Sequence, residues 1–156
     1  MQLVERIKKH EGFRTEPYID VLVAKQPELY GISRNEMNTI QKHLGKLKLT
    51  FGYGFTNLTE DEASVLLEYR IHMIRTRLYN DQKFKFLYKY FIDVTEVLIE
   101  MVFQIGYAGL LKFVNFIGAL ENSDLNRAAD EMLSSRWAKQ TPARAQELSD
   151  IIRSLA

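Results

Sequence analysis

The chain has 156 residues, of which 46% are hydrophobic and 26% are charged, a balance typical of one globular domain. Its 21 basic and 20 acidic residues give a formal net charge of +1, so global charge does not favour nucleic acid or an anionic surface. Cysteine is absent from the sequence, which excludes disulfides and thiolate metal sites.

A short helix is predicted at the N-terminus, where Leu3, Val4 and Ile7 recur at helical spacing. Gly12 is placed to end this helix, so Glu11 becomes its last residue. The irregular pattern that follows predicts a turn or hairpin over residues 13–23.

A second helix and a strand are predicted next. Ser33 and Glu36 have the spacing of a capping box, and Gly45 is placed to end the helix that they open. Strict alternation of apolar and polar residues over 46–55 then predicts a strand, with Thr50 on its less apolar face.

Another capping-box pair, Thr59 and Glu62, predicts a helix that runs to about Tyr79 and is long enough to connect two lobes. The pair Asn80-Asp81 breaks this helix, and an aromatic helix is predicted from there to Phe91.

The remaining residues predict a buried helix followed by short ones. Asp93 and Glu96 form a capping signature for the segment 94–105, which is apolar nearly all round. We expect the short helices near Leu110, near Ile117, over Leu125–Leu133, near Trp137 and after Thr141-Pro142. The buried face of the last helix is expected to carry Ala145, Leu148, Ile152 and Leu155.

Carboxylates are the strongest candidates for chemistry. The histidines His10, His43 and His72 are isolated in the sequence, and no metal or phosphate motif is present, so we expect no metal and no cofactor. Glu11 closes a helix, where the backbone carbonyls disfavour its ionised form, and Asp20 follows nine residues later. Two carboxylates facing one cleft suit glycoside cleavage, although on spacing alone two solvated surface residues are the more common explanation.

Several runs of residues, in order along the chain, carry a family resemblance: 10–14, 18–20, 50–54, 101–106, 135–137 and 140–145. In sequence and order they resemble the phage-type lysozymes, the muramidases typified by the T-even coliphage enzyme. This resemblance covers residues 1–20 and about 49–156.

The resemblance implies an α+β, mainly α, two-lobed lysozyme-like fold in a single domain over 1–156. Residues 13–58 would form a small lobe with a β-hairpin and an inserted helical segment at about 21–48. Residues 59–80 would be the connecting helix, and residues 81–156 would form the helical lobe together with 1–12.

The same resemblance implies hydrolysis of the β-1,4 bond between N-acetylmuramic acid and N-acetylglucosamine in peptidoglycan. Glu11 would be the general acid, Asp20 the second carboxylate, and Thr50 the residue that positions water. An inverting reaction would require roughly 6.5 to 9.5 Å between the carboxyl groups. Asp20 and Thr50 are 30 residues apart, unlike the family's single hairpin, so Glu28 is the alternative second carboxylate.

Further residues match family positions at the substrate cleft. Gln104 and Arg136 would line the cleft and Phe103 would form its wall, although core packing of Phe103 and a surface ion pair of Arg136 are the alternatives. Arg144 would approach Glu11, either to influence its charge or to tie the first helix to the last. Phe55 stands where the family often has histidine.

The resemblance implies a monomeric phage or prophage endolysin that causes host cell lysis. The first ten residues lack an apolar core and a small-residue cleavage site, so we expect no secretory signal. We therefore expect the protein in the host bacterial cytoplasm, with a holin-type membrane protein as its partner for release to the wall.

Two other functions are compatible with the sequence. A lysozyme-like domain could bind peptidoglycan without cutting it, because the spacing of Asp20 and Thr50 is stretched. Alternatively, the stretch from Tyr69 to Ile92 could bind nucleic acid, since aromatic residues interleave its basic ones, which are Arg70, Arg75, Arg77, Lys83, Lys85 and Lys89. The near-zero net charge and the absence of a recognition motif argue against this last function.

Overall fold

Helices account for the regular structure of the computed structural model, which describes residues 3–11, 33–44, 59–90 and 92–156. The α-helices in those ranges are α1 (Leu3–Glu11), α2 (Arg34–Leu44), α3 (Glu60–Asn80), α4 (Ile92–Leu110), α5 (Val114–Glu121), α6 (Leu125–Ser134), α7 (Arg136–Gln140) and α8 (Pro142–Ser154). Two compact units are present, one formed by Met1–Glu11 with Leu66–Ala156 and the other by Gly12–Val65.

The predicted α+β class is wrong for the described part of the chain, which contains helices and no strand. The mainly α part of the prediction agrees with the structure. The hairpin at 13–23 and the strand at 46–55 lie outside the described residues. Every described segment carries apolar residues at helical spacing. The alternation of apolar and polar residues that predicted a strand is confined to residues 46–55.

Both predicted capping boxes are confirmed. The Ser33 backbone N–H donates to Glu36 Oε2 over 2.8 Å, and the Glu36 N–H returns a 3.3 Å bond to Ser33 Oγ. Thr59 and Glu62 repeat this exchange at the start of α3, with distances of 2.8 and 3.2 Å. These reciprocal bonds satisfy backbone donors that the first helical turn leaves free.

The apolar residues of α2 differ in exposure. Met37 is 1% exposed, whereas Ile40 is 39% exposed. The predicted terminator Gly45 lies outside the described residues.

Helix α4 is the central helix of the first unit, as its apolar composition predicts. It begins at Ile92, so Asp93 lies within its first turn rather than at the expected cap. Its fully buried hydrophobic residues are Val94, Val97, Leu98, Ile99, Met101 and Leu110. Gly106 interrupts the helical dihedrals with φ 72° and ψ 163°, a conformation that glycine reaches without a side-chain penalty.

The aromatic segment after α3 is a 3₁₀ helix, Gln82–Lys89, rather than the predicted α-helix. Asp81 caps it by accepting a 2.9 Å bond from the Lys83 N–H, and Phe84 forms a kink with φ −112°. Phe84 and Phe86 are buried in the core. These two rings therefore pack inside the unit and offer no stacking surface to a nucleic acid.

The C-terminal helices follow the predicted order. Asp124 and Ser135 cap α6 and α7 by accepting bonds of 3.1 and 3.0 Å from backbone N–H groups. Thr141 precedes α8 as expected but forms no side-chain cap, and its hydroxyl donates to the Trp137 carbonyl over 3.1 Å. The predicted buried face of α8 is correct except for Leu155, which follows the helix and is 38% exposed.

Within the described ranges, no single helix is long and apolar enough to cross a membrane, and α4 with α5 reaches that length only as a pair bent by 111°.

Candidate active site

Glu11 is the last residue of α1, and its side chain is 40% exposed. The guanidinium Nη2 of Arg144, in the first turn of α8, donates to Glu11 Oε1 over 2.9 Å. Arg144 itself is buried, with 9% of its side chain exposed. The approach of Arg144 to Glu11 that the resemblance implied is therefore present, and it links α1 to α8.

A buried ionic cluster joins α1 to α4. Arg6 Nε donates to Glu100 Oε1 over 2.5 Å, and Arg6 Nη2 is 3.2 Å from Glu96 Oε2. Arg6 is 6% exposed and Glu100 is 2% exposed. Burial raises the pKa of Glu100, while the nearby charges of Arg6, His10 and Arg144 act in the opposite direction.

Sequence reasoning missed this cluster. Glu100 is a charged residue within an otherwise apolar helix, and Glu96 lies one turn before it on the same side. Arg6 falls on the same face of α1 as Leu3 and Ile7, which are both buried. The sequence therefore offered two signals of a buried ion pair. One was an arginine on the apolar face of a helix, and the other was a glutamate on the apolar face of another helix.

His10 is not isolated in the folded chain. Its Nε2 atom lies 3.2 Å from Glu147 Oε2 on α8, although the angles do not make a hydrogen bond. Lys9 Nζ donates to the same Glu147 oxygen over 2.9 Å. The hydrogen bond from Lys9, together with the charges of Lys9 and His10, lowers the pKa of Glu147. These contacts form a second link between α1 and α8.

The predicted cleft residues occupy different environments. Gln104 Oε1 accepts a 2.7 Å hydrogen bond from the buried indole Nε1–H of Trp137. Arg136 is exposed and lines a cavity of about 390 Å³ that Trp137, Lys112 and Glu131 also line. Phe103 is half-buried against the hydrophobic core and is not among the residues that line this cavity.

The other predicted catalytic residues lie outside the described residues: Asp20, its alternative Glu28, and Thr50. Phe55, for which no catalytic role was predicted, also lies outside them. Their roles, and the separation of the two carboxyl groups, stay predictions. Among the residues that are described, no group of three histidine or carboxylate side chains could hold a metal ion.

Comparison with known proteins gives two informative relatives. "Probable T4-type lysozyme 1" of Dictyostelium discoideum is 27% identical over 96 residues, which cover 61% of this chain and 56% of that protein. "Pre-baseplate central spike protein Gp5" of Enterobacteria phage T4 is 25% identical over 163 aligned positions, covering 97% of this chain and 28% of that protein. The chain is related to the T4-type lysozymes.

This T4-type relationship agrees with the family resemblance of the sequence, although no protein-family model matches the chain. The chain spans little more than half of the first relative's length and about a quarter of the second's.

Proposed function

We propose that this chain is a muramidase that hydrolyses the β-1,4 bond between N-acetylmuramic acid and N-acetylglucosamine in peptidoglycan, with Glu11 as its general acid. The observation that carries the proposal is the position of Glu11 at the end of α1, with a partly exposed carboxyl group that the buried Arg144 orients. A carboxyl group must be both accessible to the sugar and held in one orientation to protonate a leaving oxygen efficiently. The similarity to a protein named as a T4-type lysozyme supports the same reaction.

The reaction requires one proton to be donated and one to be accepted. The Glu11 carboxyl group gives its proton to the glycosidic oxygen as the bond from that oxygen to the anomeric carbon breaks. Water positioned by Thr50 attacks the anomeric carbon from the opposite face and passes a proton to Asp20, which yields an inverted product. No metal is required in this scheme, because the leaving oxygen departs as a neutral hydroxyl group.

Gln104 and Arg136 are proposed to contact the substrate in the described unit. The bond from Trp137 leaves the Gln104 amide nitrogen available to donate to a sugar oxygen. Arg136 and Lys112 supply positive charge to the cavity that they line, which suits the carboxylates of peptidoglycan.

The test is lysis of purified peptidoglycan, followed as a fall in turbidity. Glu11→Gln retains an oxygen acceptor for Arg144 but cannot donate the carboxyl proton, so we expect activity to fall by about 10²- to 10⁴-fold. Glu5→Gln is the matched control, since Glu5 is an exposed acid on the same helix whose nearest cation is Lys8 at 4.0 Å. Full activity in Glu11→Gln would refute the proposed general acid.

One observation favours a second candidate, a domain that binds peptidoglycan without cutting it. Glu11 forms an ion pair with the buried Arg144 at 2.9 Å, and a glutamate in such a pair can fix α1 on α8 without donating a proton. Sedimentation with insoluble cell wall distinguishes the two functions. Binding by the unmodified chain and by Glu11→Gln alike, with no lysis by either, would support the binding domain.

We also propose that the enzyme acts as a monomeric endolysin, made in the host bacterial cytoplasm and released to the wall by a holin-type membrane protein. Lysis of bacteria that express the chain should then depend on co-expression of a protein that permeabilises the inner membrane. Lysis of equal rate without such a protein would contradict this setting.

A further inference from the structure

Gly106 breaks α4, and the chain after this break leads into one wall of the cavity of about 390 Å³. Lys112 and Phe113 belong to that wall. We infer that Tyr107, the first residue after the break, is a positioning residue for the cavity: the bond from its hydroxyl to Asp81 fixes the position of this wall and thereby the affinity for peptidoglycan. The inference rests on the proposed contact between this cavity and peptidoglycan.

The backbone of Gly106 does not by itself fix the direction of the segment that follows. Glycine reaches φ 72° and ψ 163° without a side-chain penalty, but it reaches many other conformations as readily. A Cβ built on Gly106 would meet nothing within 4 Å, so packing at the break does not restrain this backbone either. The segment 107–113 is therefore held in place by contacts of its own.

Tyr107 makes three such contacts. Its hydroxyl donates to Asp81 Oδ2, and the guanidinium carbon of Arg77 lies 3.8 Å from the centre of its ring. The ring also packs edge-on against Phe84, with 6.1 Å between the ring centres. Asp81 is fixed in turn, because its Oδ1 atom accepts a 2.9 Å bond from the Lys83 N–H. These contacts tie the chain after the break to the end of α3.

The bond between Tyr107 and Asp81 involves an ionised acceptor. Burial and the bond to Asp81 raise the pKa of Tyr107 to about 12, so its hydroxyl keeps its proton. The bonds from Tyr107 and from the Lys83 N–H lower the pKa of Asp81, so its carboxyl group is ionised at neutral pH. A hydrogen bond to an ionised group is stronger than one between neutral groups, which makes this bond an effective anchor.

Backbone hydrogen bonds connect Tyr107 to the cavity wall. The Leu111 N–H donates to the Tyr107 carbonyl over 3.1 Å, and the Phe113 N–H donates to the Leu110 carbonyl over 3.0 Å. These two overlapping turns cover every residue from 107 to 113. The ring of Phe113 then packs edge-on against Trp137, with 6.1 Å between the ring centres. A displacement of Tyr107 is therefore passed to Phe113 and to its contact with Trp137.

The opposite wall of the cavity is held independently of Tyr107. It contains Arg136 and Trp137, and the Trp137 indole N–H donates to Gln104, which precedes the break. The two walls are thus fixed by residues on either side of Gly106. The space between the walls, where a ligand would bind, consequently depends on the anchor at Tyr107.

The test uses Tyr107→Phe, which removes the hydroxyl and keeps the ring that contacts Arg77 and Phe84. Trp137 is the only tryptophan in the sequence, so its indole N–H gives one signal in a proton–nitrogen NMR spectrum. We expect this signal to move in Tyr107→Phe. We also expect KM for purified peptidoglycan to rise by about three- to tenfold, with kcat within about twofold of the unmodified chain.

Tyr79→Phe is the matched control. The Tyr79 hydroxyl also joins α3 to α4, through a 3.2 Å hydrogen bond with Thr95, but Thr95 lies before the break. This variant should leave the Trp137 signal and KM close to those of the unmodified chain. Equal changes in both variants would mean that any loosening of α3 on α4 disturbs the cavity, which would overturn the role given to Tyr107.

The outcomes separate this inference from the proposed function. An unmoved Trp137 signal in Tyr107→Phe would overturn the inference, whether or not Glu11 is the general acid. In a lytic chain, a moved signal with an unchanged KM would also overturn it. If the unmodified chain binds insoluble peptidoglycan without lysis, the muramidase is refuted, and weaker sedimentation of Tyr107→Phe with the wall would still support the inference. Equal sedimentation of the two chains would overturn it.

Discussion

The guanidinium of Arg144 lies 2.9 Å from the carboxylate of Glu11, and 133 residues separate the two along the chain. This bond joins the end of the first helix to the first turn of the last one. Because Arg144 is buried and Glu11 is partly exposed, the bond fixes the carboxyl group from its protein side and leaves the other side open.

Removing Arg144 should therefore slow lysis. In Arg144→Gln the carboxyl group of Glu11 loses the guanidinium that holds its orientation, so the maximal rate should fall by about tenfold or more. Turbidity assays on purified peptidoglycan measure the effect. Arg153→Gln is the matched control, because it removes a cation from the same helix that pairs with Asp130 instead. An equal loss of rate in this control would contradict the account.

The bond between Gln104 and Trp137 should contribute to stability. Trp137 is 6% exposed, and its indole N–H donates to Gln104 over 2.7 Å. In Gln104→Leu the buried donor has no acceptor, so we expect the free energy of unfolding to fall by about 1 to 3 kcal/mol. Urea denaturation measures this change. Gln104→Glu retains an acceptor oxygen, and a loss of stability in this control as large as in Gln104→Leu would show that the bond is not the cause.

Two glycines provide a matched test of backbone strain. Gly106 has a φ of 72°, and a Cβ built on it would meet no atom within 4 Å. The cost of Gly106→Ala therefore comes from the backbone alone, and we expect a loss of about 1 to 2 kcal/mol in thermal or urea unfolding. Gly118, within α5, also has open space but an ordinary φ. Gly118→Ala should be neutral or stabilising, by up to about 1 kcal/mol, and a similar loss in both variants would exclude strain at Gly106.

The stability of the fold should vary with pH through Glu100. Burial raises the pKa of Glu100 above its ordinary 4.5, so between the ordinary and the raised value the folded chain binds more protons than the unfolded chain. The contribution of Glu100 to stability is therefore fully present below about pH 4.5 and is lost as the pH rises through the raised value.

Glu100→Gln removes this dependence. Measured by urea denaturation, the difference in unfolding free energy between this variant and the unmodified chain should move in favour of the variant as the pH rises from 4 to 7. Glu96→Gln serves as the control and should show a smaller trend. A difference that moves the opposite way would mean that the carboxylate of Glu100 is stabilised, not penalised, by its surroundings.

The sequence alone was sufficient to predict the described helices and most of their ends. The Ser33–Glu36 and Thr59–Glu62 boxes form as predicted because each involves groups three residues apart, whose contacts do not depend on distant parts of the chain. The apolar face of α8 is correct, except at Leu155, for the same reason, since periodicity is a local property. The predicted α+β class is wrong for the described residues, because these carry apolar residues at helical spacing, and the alternation on which the class rested lies outside them.

Only the tertiary structure decided the partners of the ionic side chains. Arg6 and Glu100 are 94 residues apart, and each alone is typical of a solvated residue on an otherwise apolar helix. Packing of α1 against α4 brings them to 2.5 Å and excludes water from both. Glu11 was identifiable from the local sequence, whereas the charge of Arg144 that contacts it was brought there by folding, because electrostatic environment depends on distance in space and not along the chain.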